Sequence, residues 1–201
     1  METHEETEPA GLRVGYVPGV ILTRWRRVWA ERLPGVPLEI VAVPEAEQRA
    51  ALDAGAVDVC FVRLPLDAAG LHLIRLYDEL PVAWVARDHP IALYDAITTA
   101  DLAGEDVRSV PDEDALGRVA EADAVLRVPL SVARSFSRRD LVQRPVTDAP
   151  ATTVALAWPA HRDNPLIDEF IGIVRGRTAN SSRTAQERAG VQGKRRRRLR
   201  S

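Results

Sequence analysis

The sequence predicts an α/β fold assembled from parallel β-α-β units, and three observations carry that prediction. Three short β-type runs alternate with two helical stretches in the first part of the chain. The third run, Val57-Asp-Val-Cys-Phe-Val62, is almost continuously apolar, as in a strand covered on both faces. Turn formers (Pro18-Gly19, Pro34-Gly35, Gly55) fall between these runs and not inside them.

In chain order, Leu12-Arg-Val-Gly-Tyr-Val17 reads as the first strand, ended by Pro18-Gly19. A helix is predicted over 20–33, because Leu22, Trp25, Val28, Trp29 and Leu33 recur at three- and four-residue spacing. Pro37 to Val43 reads as a strand, Glu45 to Ala54 as a helix capped by Gly55, and 57–62 as the buried strand. Leu71 to Tyr77 and Pro81 to Ala86 read as extended. Residues 98–115 are turn-rich and acidic. A short helix is expected at 115–122, a strand at 125–128, a helix from Pro129 to Phe136 and an extended run at 141–147. Thr153 to Pro159 gives a last strand. The final helix is the best marked: Asn164 supplies a cap oxygen, Pro165 takes the first helical position, and Leu166, Phe170, Ile173 and Val174 form its apolar stripe.

Length and composition bound the function. At 201 residues and 46% apolar, the chain can bury a substantial core. No apolar run approaches a membrane span, and one cysteine, Cys60, allows no intrachain disulfide. With four glutamates and no basic residue in METHEETEPA, the N-terminus is the opposite of a secretory signal, and a cytoplasmic location is expected. The net charge of −2 conceals a division. Residues 1–11 form an acidic N-terminal segment, the body is acidic, and 179–201 carry eight basic side chains against one acid. Both ends are expected to be disordered tails.

Enzymatic signatures fail in turn. There is no Gly-x-Ser-x-Gly, His-Glu-x-x-His, phosphate-binding Gly-x4-Gly-Lys or Gly-x-Gly-x-x-Gly. His4, His72, His89 and His161 show no metal-ligand spacing, and Asp112-Glu-Asp114 reads as a solvated turn and helix cap. No catalytic residue, metal or cofactor is expected.

Six stretches then fall into a recognisable order: Leu12-Arg-Val-Gly-Tyr-Val-Pro-Gly19; Gln48-x3-Leu52-x2-Gly55-x2-Asp58-Val-Cys-Phe-Val-Arg63; Asp88-His-Pro-Ile-Ala92; Pro129-Leu-Ser-Val-Ala133; Val154-Ala-Leu-Ala-Trp158; and Asn164-Pro-Leu-Ile-Asp-Glu-Phe170. Together, over 12–178, they resemble the effector-binding domain of LysR-type transcriptional regulators. The resemblance implies the type 2 periplasmic-binding-protein fold: two α/β lobes around a cleft, joined by two crossing strands. Lobe I is drawn as 12–81 plus 153–178 and lobe II as 82–152. The implied function is small-molecule effector binding by a non-enzymatic regulatory protein. Its output would pass to transcription through a homodimer or a heterodimer with a full-length regulator. With eleven residues before the first strand, the family's N-terminal winged helix-turn-helix is expected to be absent. The sequence also departs from the family before Pro129, where Asp123 and Arg127 stand in what should be a close backbone approach.

The candidate ligand-binding residues lie at strand ends, where a crevice is expected. Pro18, Gly19 and Thr23 surround the first strand-to-helix turn and suit either an anion at backbone N–H groups or an ordinary tight turn and cap. Arg63 follows a buried strand and suits either a bidentate contact to a ligand carboxylate or a surface ion pair. Ser131 suits a ligand hydrogen bond or a helix N-cap. Trp84 and Trp158 are expected to pack the crossing strands, Trp25 and Trp29 the core or, for one of them, a subunit contact, and His89 to serve a structural hydrogen bond. The tail cations Lys194, Arg195, Arg196, Arg197, Arg198 and Arg200 suit either non-specific nucleic-acid tethering by counterion release or a solubilising role. The alternative reading of the whole chain is therefore a nucleic-acid-associated protein whose body is a dimerisation scaffold.

Overall fold

The computed structural model describes residues 11–136 and 138–176, so the expected acidic stretch 1–10 and the basic tail 179–201, with Lys194, Arg195, Arg196, Arg197, Arg198 and Arg200, lie outside the described residues. The parallel β-α-β prediction holds. Strand β1 (Leu12–Tyr16) lies parallel to both β2 (Leu38–Ala42) and β3 (Val59–Arg63). Helix α1 (Thr23–Arg32) links the first two, and a 3-10 turn at Glu45–Glu47 followed by α2 (Gln48–Asp53) links the next. The chain then forms β4 (Leu71–Glu79), and after one residue, Leu80, begins β5 (Pro81–Ala86) in a second sheet.

That second sheet has the order β6-β7-β5-β8, with β6 at Val107–Arg108, β7 at Val125–Pro129 and β8 at Leu141–Pro145. Helices α3 (Glu113–Ala120) and α4 (Leu130–Ser135) accompany it. Strand β9 (Thr152–Pro159) returns to the first sheet, whose order is β2-β1-β3-β9-β4, and α5 (Pro165–Val174) covers it. β9 runs antiparallel to both neighbours, so the sheet is mixed.

Each sheet owns a core. In the first, Trp25 stacks on Phe61 with ring centroids 4.7 Å apart, and Phe61 meets Phe170 edge-on at 6.0 Å. Trp29 is buried and donates its indole N–H to the Val36 carbonyl at 2.9 Å. Both tryptophans of α1 thus serve the core, and such offset and edge contacts add to what area burial contributes. In the second, Trp84 packs at 5.7 Å against Phe136.

Several details differ from the sequence reading. Helix α1 starts at Thr23 and not at 20, because Val20 and Leu22 are drawn into the core as an irregular link. The stripe of α5 is Ile167, Phe170, Ile171 and Ile173, rotated from the Leu166–Val174 stripe. Trp84 is a core residue of the second sheet, and Trp158 sits near the far end of β9 against His72. Neither packs the crossing strands where they change sheets. Asp123 and Arg127 both face solvent, and the left-handed turn before β7 falls on Ala122, at φ +61°. The departure before Pro129 therefore puts no side chain into a close approach.

Three caps stand as expected. Asn164 accepts from the Leu166 N–H at 3.0 Å, Asp112 accepts from that of Ala115 at 2.8 Å, and Gly55 takes the left-handed position after α2.

Candidate functional site

The carboxyl ends of β1 and β2 open towards α4, and a cavity of about 720 Å³ lies between them. One wall belongs to the first sheet's loops: Tyr16, Pro18 to Ile21, and Ala42 to Pro44. The other belongs to α4: Ser131, Arg134 and Ser135. A parallel sheet builds such a crevice because its loops diverge at the strand ends.

The two walls touch at Gly19. Its φ is +91°, and a Cβ there would lie 2.6 Å from the Ser131 Oγ and 2.9 Å from the Val132 nitrogen. Only glycine meets both demands, the left-handed backbone and the close approach. Pro18 and Gly19, two of the expected residues, are thus at the cleft with Ser131.

Arg63 lies beneath this contact, with its side chain 1% exposed. Its Nε donates to Glu79 at 2.8 Å, its Nη1 to Glu45 at 2.7 Å, and its Nη2 to the Pro18 carbonyl at 2.9 Å. The expected surface ion pair is a buried one. Burial alone would push the guanidinium pKa down, but the hydrogen bonds and charges of Glu79 and Glu45 outweigh it and the net shift is upward. Ser131 does not cap α4, whose cap residue is Pro129 without a side-chain bond. Its hydroxyl instead donates to the second oxygen of Glu79. Arg63 and Ser131 are therefore brought together, around a carboxylate that the chain itself supplies.

Thr23 stands apart. It is the exposed first residue of α1 and lines a separate hollow with Arg26, Trp29 and Pro34, because the α1 start is displaced from the strand end by the 20–22 link.

The sequence reading missed Glu79, Glu45, Tyr16 and Arg134. Glu79 carried no local signal, since its burial depends on a residue sixteen positions away. Arg134 was legible in principle: it stands three residues after Ser131, on the same helical face.

The remaining signature positions are structural. The Gln48 side chain clamps the Arg63 backbone from both ends, donating to its carbonyl at 2.9 Å and accepting its N–H at 2.8 Å. Asp58 accepts the Arg13 N–H at 2.9 Å and pairs with the guanidinium groups of Arg13 and Arg162. Burial works to raise its pKa, but these partners prevail and hold it below the usual carboxylate range. His89 is buried, accepts the Ile91 N–H at its Nδ1 (3.2 Å), and places its Nε2 3.4 Å from Glu105. Cys60 is buried, and desolvation pushes its thiol up to about 12. No group of three or more His, Cys, Asp or Glu side chains could hold a metal among the described residues, and none of their helices is long and apolar enough to cross a membrane.

With this geometry in view, the comparisons with known proteins converge. The family described as LysR substrate binding domain matches residues 7–124. The chain belongs to the LysR substrate-binding family. The Escherichia coli (strain K12) Hca operon transcriptional activator HcaR is 22% identical over 206 residues, covering 86% of this chain and 70% of the activator. A Mycobacterium avium protein named "Probable hydrogen peroxide-inducible genes activator" is 35% identical over 91 residues, covering 43% of this chain and 29% of that protein. Among solved structures, the BenM effector binding domain with its effector benzoate matches at a TM-score of 0.70 and 20% identity, covering 86% of this chain and 94% of that one. This LysR substrate-binding domain thus has the two-lobed, type 2 periplasmic-binding-protein-like architecture of effector-binding domains, and its relatives are transcriptional regulators and not enzymes.

Proposed function

We propose that this chain is a ligand sensor for transcription: a small molecule enters the cleft between the two lobes, drawn at 12–81 with 153–178 and at 82–152, and draws them together. The observation that carries this reading is the cavity of about 720 Å³ bounded by both lobes, a size within the range of small-ligand sites. The contact of Gly19 with Ser131 supports it, since both walls already converge at one edge. The matched BenM domain holds its effector, benzoate, and a ligand of that scale suits this cleft. The chain passes its state on by pairing with a second copy or with a full-length regulator, in the cytoplasm.

A peroxide-sensing role, suggested by the name of the Mycobacterium avium relative, fits the chain less well. A sensor thiol must reach the thiolate, and the chain's one cysteine is buried with its thiol near 12.

Native mass spectrometry of the full chain purified gently from its own host tests the proposal. A small adduct released on activation is expected, and the intact mass reports a partner. A clean chain carrying neither overturns the sensor reading. It would then favour the alternative, nucleic-acid tethering through Lys194, Arg195, Arg196, Arg197, Arg198 and Arg200, which sequence composition supports. In that case deletion of 179–201 abolishes salt-dependent DNA binding.

A further inference from the structure

We propose that the ligand is an apolar monocarboxylate whose hydrocarbon body lies on the β1 and β2 loops and whose charge is read by Arg134, not by Arg63. This rests on the cleft being the effector site and names what that site selects.

The first step concerns the charge already present. Sequence gives Arg63 a ligand carboxylate and Ser131 a ligand hydrogen bond, yet an anion is already there. Glu79 accepts from both, and Glu45 and the Pro18 carbonyl take the other two guanidinium nitrogens. An incoming carboxylate would have to displace a buried internal one, whose desolvation is already met, and would then face Glu79 unpaired. The deep cation is spent.

The second step concerns what is left on the walls. Val20, Ile21, Val43 and Pro44 give the first wall an apolar surface, and Ile21 is 77% exposed on it. Among the described residues, no Asp or Glu lines the cavity. Of the α4 side chains, Ser131 gives its proton to Glu79 and Ser135 gives its own to the Val132 carbonyl at 2.7 Å. Among the described residues, Arg134 is the one charged side chain on the walls, is exposed, and has no hydrogen-bond or ion-pair partner. A free guanidinium offers a planar fork suited to one carboxylate. One cation facing an otherwise uncharged, apolar wall selects a single negative charge on a hydrocarbon frame. A dianion would leave one charge against apolar surface, and a neutral ligand would leave the guanidinium unused.

Matched acids and primary amides test this on the full chain: octanoate, 4-phenylbutanoate and 1-naphthoate against octanamide, 4-phenylbutanamide and 1-naphthamide. The readout is the methyl NMR shifts of Val20, Ile21 and Val43 at millimolar ligand. The acids should move these methyls and bind at least about tenfold more tightly than their amides, as expected for a charge-assisted contact. In R134A that preference should vanish, with the acids losing most of the tenfold advantage they hold over the amides, and R134K should retain part of it. Equal binding of acid and amide, or a preference intact in R134A and lost in E79Q, overturns the assignment to Arg134 but leaves the cleft reading standing. No methyl shift with any acid also overturns it, and the mass-spectrometric adduct then decides the cleft reading separately.

Discussion

Ser131 and Glu79 meet across the two lobes: the serine hydroxyl on α4 donates to a carboxylate at the last position of β4, and the same carboxylate holds Arg63 through its other oxygen. One buried acid thus joins the floor of the first sheet to a helix of the second. Removing its charge should leave Arg63 in the interior with only the half-exposed Glu45 as ionic partner. E79Q is expected to lower unfolding free energy by about 3 kcal/mol, the usual consequence of orphaning one member of a buried pair. S131A loses a single hydrogen bond and should cost about 1–2 kcal/mol. Urea denaturation of both variants checks the ranking, and an E79Q loss no greater than that of S131A would refute it.

Gly19 offers a test of the lobe contact that does not touch charge. In G19A the added methyl falls on the Ser131 Oγ and Val132 nitrogen, and the backbone at φ +91° is strained as well. Gly35 has nearly the same conformation, φ +90°, but nothing within 4 Å of its added methyl. G35A therefore measures backbone strain alone, about 1 kcal/mol. G19A should cost more than G35A and should enlarge the radius of gyration in small-angle scattering, whereas G35A leaves it unchanged.

Asp58 predicts an acid limb of stability. Its folded-state pKa lies below the ordinary value of 3.8. A group depressed in this way contributes fully above its unfolded pKa and loses that contribution as pH falls through the folded one. Relative to D58N, the wild type should be more stable by about 1–3 kcal/mol at neutral pH. The gap should shrink below about pH 4. Parallel unfolding curves of the two proteins from pH 7 to pH 3 check it. A gap that widens on acidification would have the wrong sign.

Cys60 should be chemically silent in the native state. With the thiol near 12, the thiolate fraction at neutral pH is negligible, and burial denies access to reagents. Iodoacetamide and hydrogen peroxide are expected to leave it unmodified by mass spectrometry until denaturant is added. Rapid native labelling would contradict this.

The fold was legible where periodicity and punctuation act locally. Val57 to Val62 announced a doubly covered strand, and Asn164-Pro165 announced a helix start, because both signals depend on neighbours within a turn or a pleat. The cleft was legible only in part. Gly19 and Ser131 stood at strand and helix ends, which are visible in sequence. Their contact depends on how two lobes dock, and no local pattern encodes that. Arg63 was found for the right position and the wrong environment, since its neutralisation depends on Glu79, the one buried residue of an otherwise half-buried or exposed strand. Thr23 was misplaced by the irregular link at 20–22, which helical spacing alone absorbs into α1.

The place of β9 has a consequence for how the chain comes to be made. The strand lies inside the first sheet, between β3 and β4, and its residues 152–159 follow the whole of the second sheet in sequence. During synthesis the middle segment, 81–145, emerges as an uninterrupted unit with all of its partners. Of the earlier-made strands, β3 and β4 lack their shared neighbour until the last part of the body leaves the ribosome. The lobe begun first is therefore finished last, with its hydrophobic strand edges unpaired in the interval and most exposed to aggregation.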